Sequence, residues 1–196
     1  MTDKSIAERE SVYNNVFGEP SFANHELMPF DPHVDIYIFS PETSQRPFYT
    51  IATSGMSNER MPDSQNIEFK RIELILYAKE PKKIYIDLLR YLSHIPYNQH
   101  TYFTPGGTMT NGVPPQPVFN ESELNCFVFL FPIISPDDSL DSKLVINGDP
   151  VSFLWPVAIS KKECDLVRDN QVENLLELFE KKQHSFLIDE KRKSYL

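Results

Sequence analysis

Apolar positions along the chain follow first one period and then another, and each change of period marks an element. Ile6, Ala7, Val12, Val16 and Phe17 recur among charged residues at helical spacing, which predicts an amphipathic helix from Ile6 to Phe17. From His33 to Ser40 the pattern alternates: Val34, Ile36 and Ile38 share one face, and Asp35, Tyr37 and Phe39 the other, as in a strand. A second strand is predicted from about Phe48 to Ser54, and a third from Glu68 to Ala78 with Ile72, Leu74 and Leu76 on one face. Roughly a dozen residues separate these two strands, a length that in a compact domain is usually functional or disordered. Helical spacing returns at Ile84, Leu88, Tyr91, Leu92 and Ile95, with Pro81 tolerated in the first turn because its missing N–H would have no partner there.

The second half opens on a segment without period. Residues 96–119 are rich in Pro, Gly, Thr and Asn, and Tyr97, Tyr102, Phe103 and Phe119 give them material to anchor an ordered excursion over the surface. Leu124 to Ile133 is apolar on both faces, like a strand covered on both sides. Asn147-Gly148 between two strand-like runs predicts a hairpin, with Pro150 blurring its register. Pro156 lacks a ladder donor, so the strand after the turn is expected to end, bulge or lie at an edge there. Ser160 and Glu163 form a capping box at a helix start. Val172, Leu175, Leu176 and Phe179 continue at helical spacing after a break near Asn170. The order of elements predicts an α+β fold with a mixed, largely antiparallel sheet flanked by helices. One domain over residues 1–196 suffices, with a helix inside residues 1–19 and a frayed tail at 184–196.

Composition narrows the function. The 196 residues are 40% hydrophobic and 12% aromatic, enough for a real core. Nineteen basic against 28 acidic residues leave a formal charge of −9, which disfavours nucleic acid and anionic lipid and favours a basic protein as partner. The charged N-terminus has no secretory core, and the longest apolar run is too short for a membrane span, so a cytoplasmic protein is expected. Cys126 and Cys164 have no paired spacing and read as small buried hydrophobes.

No constellation of residues announces catalysis. Gly55-Met56-Ser57 begins like a nucleophile elbow, but Glu59 stands where the motif needs glycine. Asp31, His33 and Asp35 share a strand face and could present two carboxylates and an imidazole to a metal, but the pattern reads first as an exposed polar strand edge; no metal and no cofactor is expected. Gly106-Gly107 lacks the lysine and helix of a phosphate loop. Met56, Met61 and Met109 fall in loops, where thioethers either cap the core or form an adaptable binding surface.

The segments HVDIYIFSP, RPFYTIATSGMSNERMP, RIELILYAKEP, LLRYLSHIPY, GGTMTNGVPPQPV, FVFLFPI and FLWPVAISKKE, in this order, resemble the suppressor of fused domain in its short bacterial form, over roughly residues 20 to 182. The most specific piece is the T-S-G-M-S corner followed by the strand with R-x-E-L-x-L-Y. Asn170 stands where relatives tend to have glycine. The resemblance implies a protein that binds other proteins and performs no chemistry. The animal member sequesters zinc-finger transcription factors of Hedgehog signalling, and short bacterial members are similar to immunity proteins that neutralise polymorphic toxins, often nucleases. The animal protein has a further lobe that this chain is too short to contain. The loop corresponding to the Gly-Met-Ser corner lies near the animal protein's partner peptide. A partner site is therefore expected at Ser54, Gly55, Met56, Ser57, Asn58, Glu59, Met61 and Asp63, the methionines as central anchors and the two acids as rim. A regulatory interaction module is the next alternative, and an enzyme with an unrecognised site the last.

Overall fold

Tyr13 and Phe17, one turn apart, decide how the first helix packs. They lie on α1 (Asp3–Phe17) and are both fully buried in the computed structural model, which describes residues 3–28, 30–64, 68–170 and 172–196. The chain divides into two compact units, Met1–Phe103 with Phe131–Trp155, and Thr104–Leu130 with Pro156–Leu196. The fold is α+β, with a mixed, largely antiparallel sheet and flanking helices.

In the first unit β1 (Phe22–Asn24), β2 (Asp35–Phe39), β3 (Tyr49–Ser54) and β4 (Arg71–Ala78) pair in sequence order, every pair antiparallel. A single helical turn, α2 (Pro41–Ser44), joins β2 to β3. Both faces of β2 are covered, and α1 packs on the one that carries Tyr37 and Phe39: Tyr13 meets Phe39 edge-on at 5.9 Å and Phe17 packs on Phe39 at 5.0 Å. Each of these rings contributes about 1.5–3 kcal/mol by burial. β4 is buried along its whole length, including Arg71 and Glu73.

α3 (Lys83–Gln99) is rotated from its expected face. Tyr85, Leu89, Leu92 and Ile95 enter the core, while Ile84 and Tyr91 point to solvent. The helix also runs past Ile95 through Pro96, where the sequence pattern predicts a loop; Pro96 lies in the last turn, before His100 closes the helix in a left-handed conformation. β7 (Val145–Ile146) and the start of β8 (Asp149–Ser160) form the expected hairpin, with Asn147 and Gly148 both at positive φ and Pro150 opposite Val145. β8 pairs parallel with β4 over residues 151–154 and does not end at Pro156. That ladder stops two residues before the proline, so the missing N–H removes none of its bonds.

In the second unit the excursion after α3 holds a short strand, β5 (Thr108–Thr110), antiparallel to β6 (Leu124–Leu130). The capping box of α4 (Lys161–Asn170) is present: Ser160 N donates to Glu163 Oε2 at 2.7 Å, and Glu163 N to Ser160 Oγ at 3.2 Å. α5 (Val172–Lys181) follows, as the expected break near Asn170 requires; Gln171, between the helices, lies outside the described residues. Both cysteines are buried, as expected.

The tail does not fray. Arg192 donates two hydrogen bonds of 2.8 Å to the buried Glu163 carboxylate and one of 3.0 Å to Ala158 O, and its guanidinium lies 4.5 Å from the Tyr195 ring centre. Burial opposes ionisation of Glu163, but Arg192 and the N–H groups of Ser160 and Tyr195 prevail and hold its pKa below the usual glutamate value. No helix among the described residues is long and apolar enough to cross a membrane.

Candidate functional site

The corner after β3 is built around a buried carboxylate. Glu73 on β4 is inaccessible to solvent, and its Oε1 accepts from Gly55 N at 3.0 Å, Ser57 N at 3.0 Å and Ser57 Oγ at 2.6 Å. Its other oxygen accepts from Thr53 Oγ1 at 2.6 Å. Arg9 of α1, 1% exposed, brings the opposing charge to 3.7 Å. That guanidinium also donates to Ser54 Oγ at 2.9 Å, Ser57 Oγ at 3.3 Å and Asn58 Oδ1 at 3.1 Å. A buried charge is tolerated only when paired and hydrogen-bonded, and here both conditions are met by residues of the corner.

Gly55 has φ 128° and ψ −17°, a conformation that follows from the sharp end of β3 and that side chains rarely adopt. A Cβ placed there would lie 2.1 Å from His33 O. Met56–Asn58 then form one turn of 3-10 helix.

A second ion pair holds the far side. Arg71 donates from Nε to Asp149 Oδ2 at 2.9 Å and from Nη1 to the carbonyls of Ser57 and Asn58, at 2.9 and 2.6 Å. Arg60 grips the same carboxylate through bonds of 2.6 and 2.8 Å. From α3, Tyr97 donates its hydroxyl to Met56 O at 2.6 Å. Burial, and after it the charge of Glu73, raises the pKa of that phenol, which stays a donor at any physiological pH.

The hydrogen bonds from Arg60, with the one from Arg71 and against some burial, depress the pKa of Asp149 from 3.8 to about 2. A lowered folded-state pKa stabilises above the unfolded value and is lost as pH falls through the folded one. The corner is therefore expected to lose stability between about pH 4 and pH 2. Urea unfolding of the wild type should weaken across that window more than unfolding of Asp149→Asn; equal slopes would contradict it.

The expected site residues separate into two groups. Met56 and Met61 are fully and almost fully buried, at 0% and 2% exposure, so they fill the core and are not surface anchors. The Met61 sulfur even accepts from Phe103 N at 3.4 Å. Ser54, Gly55 and Ser57 are also buried, whereas Asn58 is half-buried and Glu59 and Asp63 are exposed. The corner thus presents a short polar loop, Asn58 to Asp63, on a fixed base. Met109 is half-buried on β5. The Ser57 hydroxyl, closed in between Glu73 and Arg9, has no access to a substrate.

Asp31 is exposed, while His33 lies 3.2 Å from Asp35, which His25 also reaches at 2.9 Å. Among the described residues no group of three or more His, Cys, Asp or Glu is placed to hold a metal ion. Sequence reasoning missed Arg9, Arg71, Glu73, Tyr97 and Asp149. A signal existed for two of them: Arg71 and Glu73 alternate inside an otherwise apolar strand, where charge has to be explained.

Residues 31–193 match the family model described as suppressor of fused protein. No curated protein sequence matches. Among solved structures, a suppressor of fused homologue from Neisseria gonorrhoeae is similar, with 16% identity, TM-score 0.69, and coverage of 98% of this chain and 97% of that one. A Sufu-Fu complex is similar with 13% identity and TM-score 0.62, covering 97% of this chain and 90% of the other. Drosophila Suppressor of Fused gives the same identity and TM-score, and there the match takes in 50% of the longer chain.

Proposed function

The chain belongs to the suppressor of fused family, and from that premise we propose that it is a non-catalytic, cytoplasmic protein-binding domain, an immunity protein that neutralises a cognate polymorphic toxin such as a nuclease. The observation that carries the reading is the corner loop. Five exposed or half-exposed positions from Asn58 to Asp63 stand on a base of two buried ion pairs, and rigid presentation of a loop reduces the entropy lost on binding. Glu59 and Asp63 outnumber Arg60, which Asp149 engages, and leave that loop negative on a chain of net charge −9, which draws a basic partner and accelerates encounter. A nuclease toxin has a basic substrate groove, and an acidic loop blocks it directly.

The test is co-expression with the product of the adjacent gene, followed by binding kinetics. Glu59→Lys/Asp63→Lys is expected to slow association about tenfold and to flatten its dependence on salt, with the fold unchanged. Unchanged kinetics would remove this loop from the interface. A second reading, a regulatory module that sequesters a partner, is supported by the similarity to a family member crystallised in a Sufu-Fu complex. Rescue of cells from the neighbouring toxin separates the two, since a regulator would bind its partner without protecting the cell.

A further inference from the structure

With Met56 and Met61 in the core, the binding face lacks the apolar anchor that a stable protein interface requires. Exposed apolar side chains of the first unit lie elsewhere, at Phe22, Phe131, Ile133 and Val145 and, grouped beside a groove, on the rotated face of α3 and the loop that precedes β2. Tyr91 is 46% exposed, Phe30 52% and Leu27 95%. Phe30 packs on His94 with ring centres 5.1 Å apart, and a groove of about 360 Å³ is lined by Phe30, Tyr91 and Ile95 together with Asp87, Arg90 and Asn98.

The floor of this groove is fixed. Glu26, 8% exposed, accepts from Val34 N at 2.9 Å, pairs with His94 at 2.7 Å and lies 3.5 Å from Arg90. Arg90 in turn donates to Val34 O and Asn24 O at 2.7 and 2.8 Å. Arg90 thereby offsets the charge of Glu26, and Asp87 is the other carboxylate of the lining. Its partner is Lys83, one turn away on the same helix, and both side chains are more than half exposed. An exposed pair of this kind is weakly held, so Asp87 stays open to exchange with a cation from another molecule. One helix serves both surfaces: Tyr97, one turn beyond His94, is the residue that supports the corner.

We propose that this groove is the apolar anchor site of the partner interface, and that it takes a segment of a basic protein in which an aromatic or branched aliphatic side chain is flanked by lysine or arginine. The apolar side chain fills the space between Phe30 and Tyr91, and a flanking cation meets Asp87. The inference rests on the reading of the chain as a binder of basic proteins and adds the chemistry that the partner must present.

The probe is a synthetic peptide, acetylated Lys-Arg-Phe-Leu-Lys-Arg amide, titrated into the full chain and followed through backbone amide resonances. Two controls replace its basic residues by Glu and Asp, or its Phe-Leu by Ala-Ala. Shifts centred on Tyr91, His94 and Asn98 are expected with the first peptide and neither control. Asp87→Lys and Phe30→Ala, both surface changes, should each weaken binding about tenfold, and Glu177→Lys, a charge reversal at an exposed position of α5, should leave it within about twofold. Absence of shifts at Tyr91 to Asn98, or equal binding of the acidic control, overturns the inference. So does concentration-dependent dimerisation abolished by Tyr91→Ala, which would make a second copy the occupant. Binding of the adjacent gene product that depends on Glu59 and Asp63 but not on Asp87 or Phe30 also refutes it, and leaves the broader reading of the protein intact.

Discussion

Glu73→Ala is expected to cost about 3–5 kcal/mol, the range for breaking a buried ion pair by removing one partner. The change leaves the Arg9 guanidinium at 1% exposure with no carboxylate, and it strips the acceptor from Gly55 N, Ser57 N and the hydroxyls of Thr53 and Ser57. Unsatisfied donors in a dry site each retain their desolvation penalty. Chemical denaturation should show a lower midpoint with the slope preserved. The double variant Arg9→Met/Glu73→Leu removes both charges and should recover part of the loss, because the larger penalty belongs to the orphaned charge rather than to the missing attraction. A loss below about 1 kcal/mol in Glu73→Ala would mean that water enters the corner and that its polar network is not a rigid base.

Gly55→Val is the second large effect, expected at about 3 kcal/mol or more. Two independent penalties meet at this residue. The backbone, at φ 128°, is in a region that β-branched residues avoid, and the added Cβ would lie 2.1 Å from His33 O, a backbone atom of the neighbouring strand entry that has little room to move. Gly148 provides the control. It has φ 82°, but an added Cβ there meets nothing within 4 Å, so Gly148→Ala should cost only about 1 kcal/mol, from the backbone alone. If the two substitutions cost the same in thermal unfolding, contact with His33 plays no part and the corner is an ordinary turn.

Much of the fold was legible because local rules and tertiary packing agree there. The strand periods at β3 and β4, the Asn147-Gly148 hairpin and the Ser160/Glu163 capping box each depend on residues close in sequence, and all are found. The need for a special turn at Gly55 was legible too, since the sharp end of a strand followed by a polar loop asks for a glycine. The errors share a cause. Which face of α3 meets the sheet, whether residues 184–196 fray, and whether Met56 and Met61 are surface or core all depend on what a distant segment covers. Leu88 and Tyr91 fit a helical stripe as well as Leu89 does, and only the sheet beneath selects Leu89.

The chain by itself determined the class of the fold, the capped start of α4, the negative net charge and the glycine at the corner, because each is set by propensity, period or charge count within a short window. Tertiary structure alone decided the rest of the corner. Arg9, Ser54 and Glu73 are far apart in sequence, and a charge on an amphipathic helix is ordinarily a solvated one; it becomes a buried structural centre only when β3 and β4 bring a carboxylate to 3.7 Å and exclude water. The same burial moved the methionines inside and left Tyr91 and Phe30 outside, because a core has a fixed volume and the residues that fill it are chosen by packing and not by hydrophobicity alone.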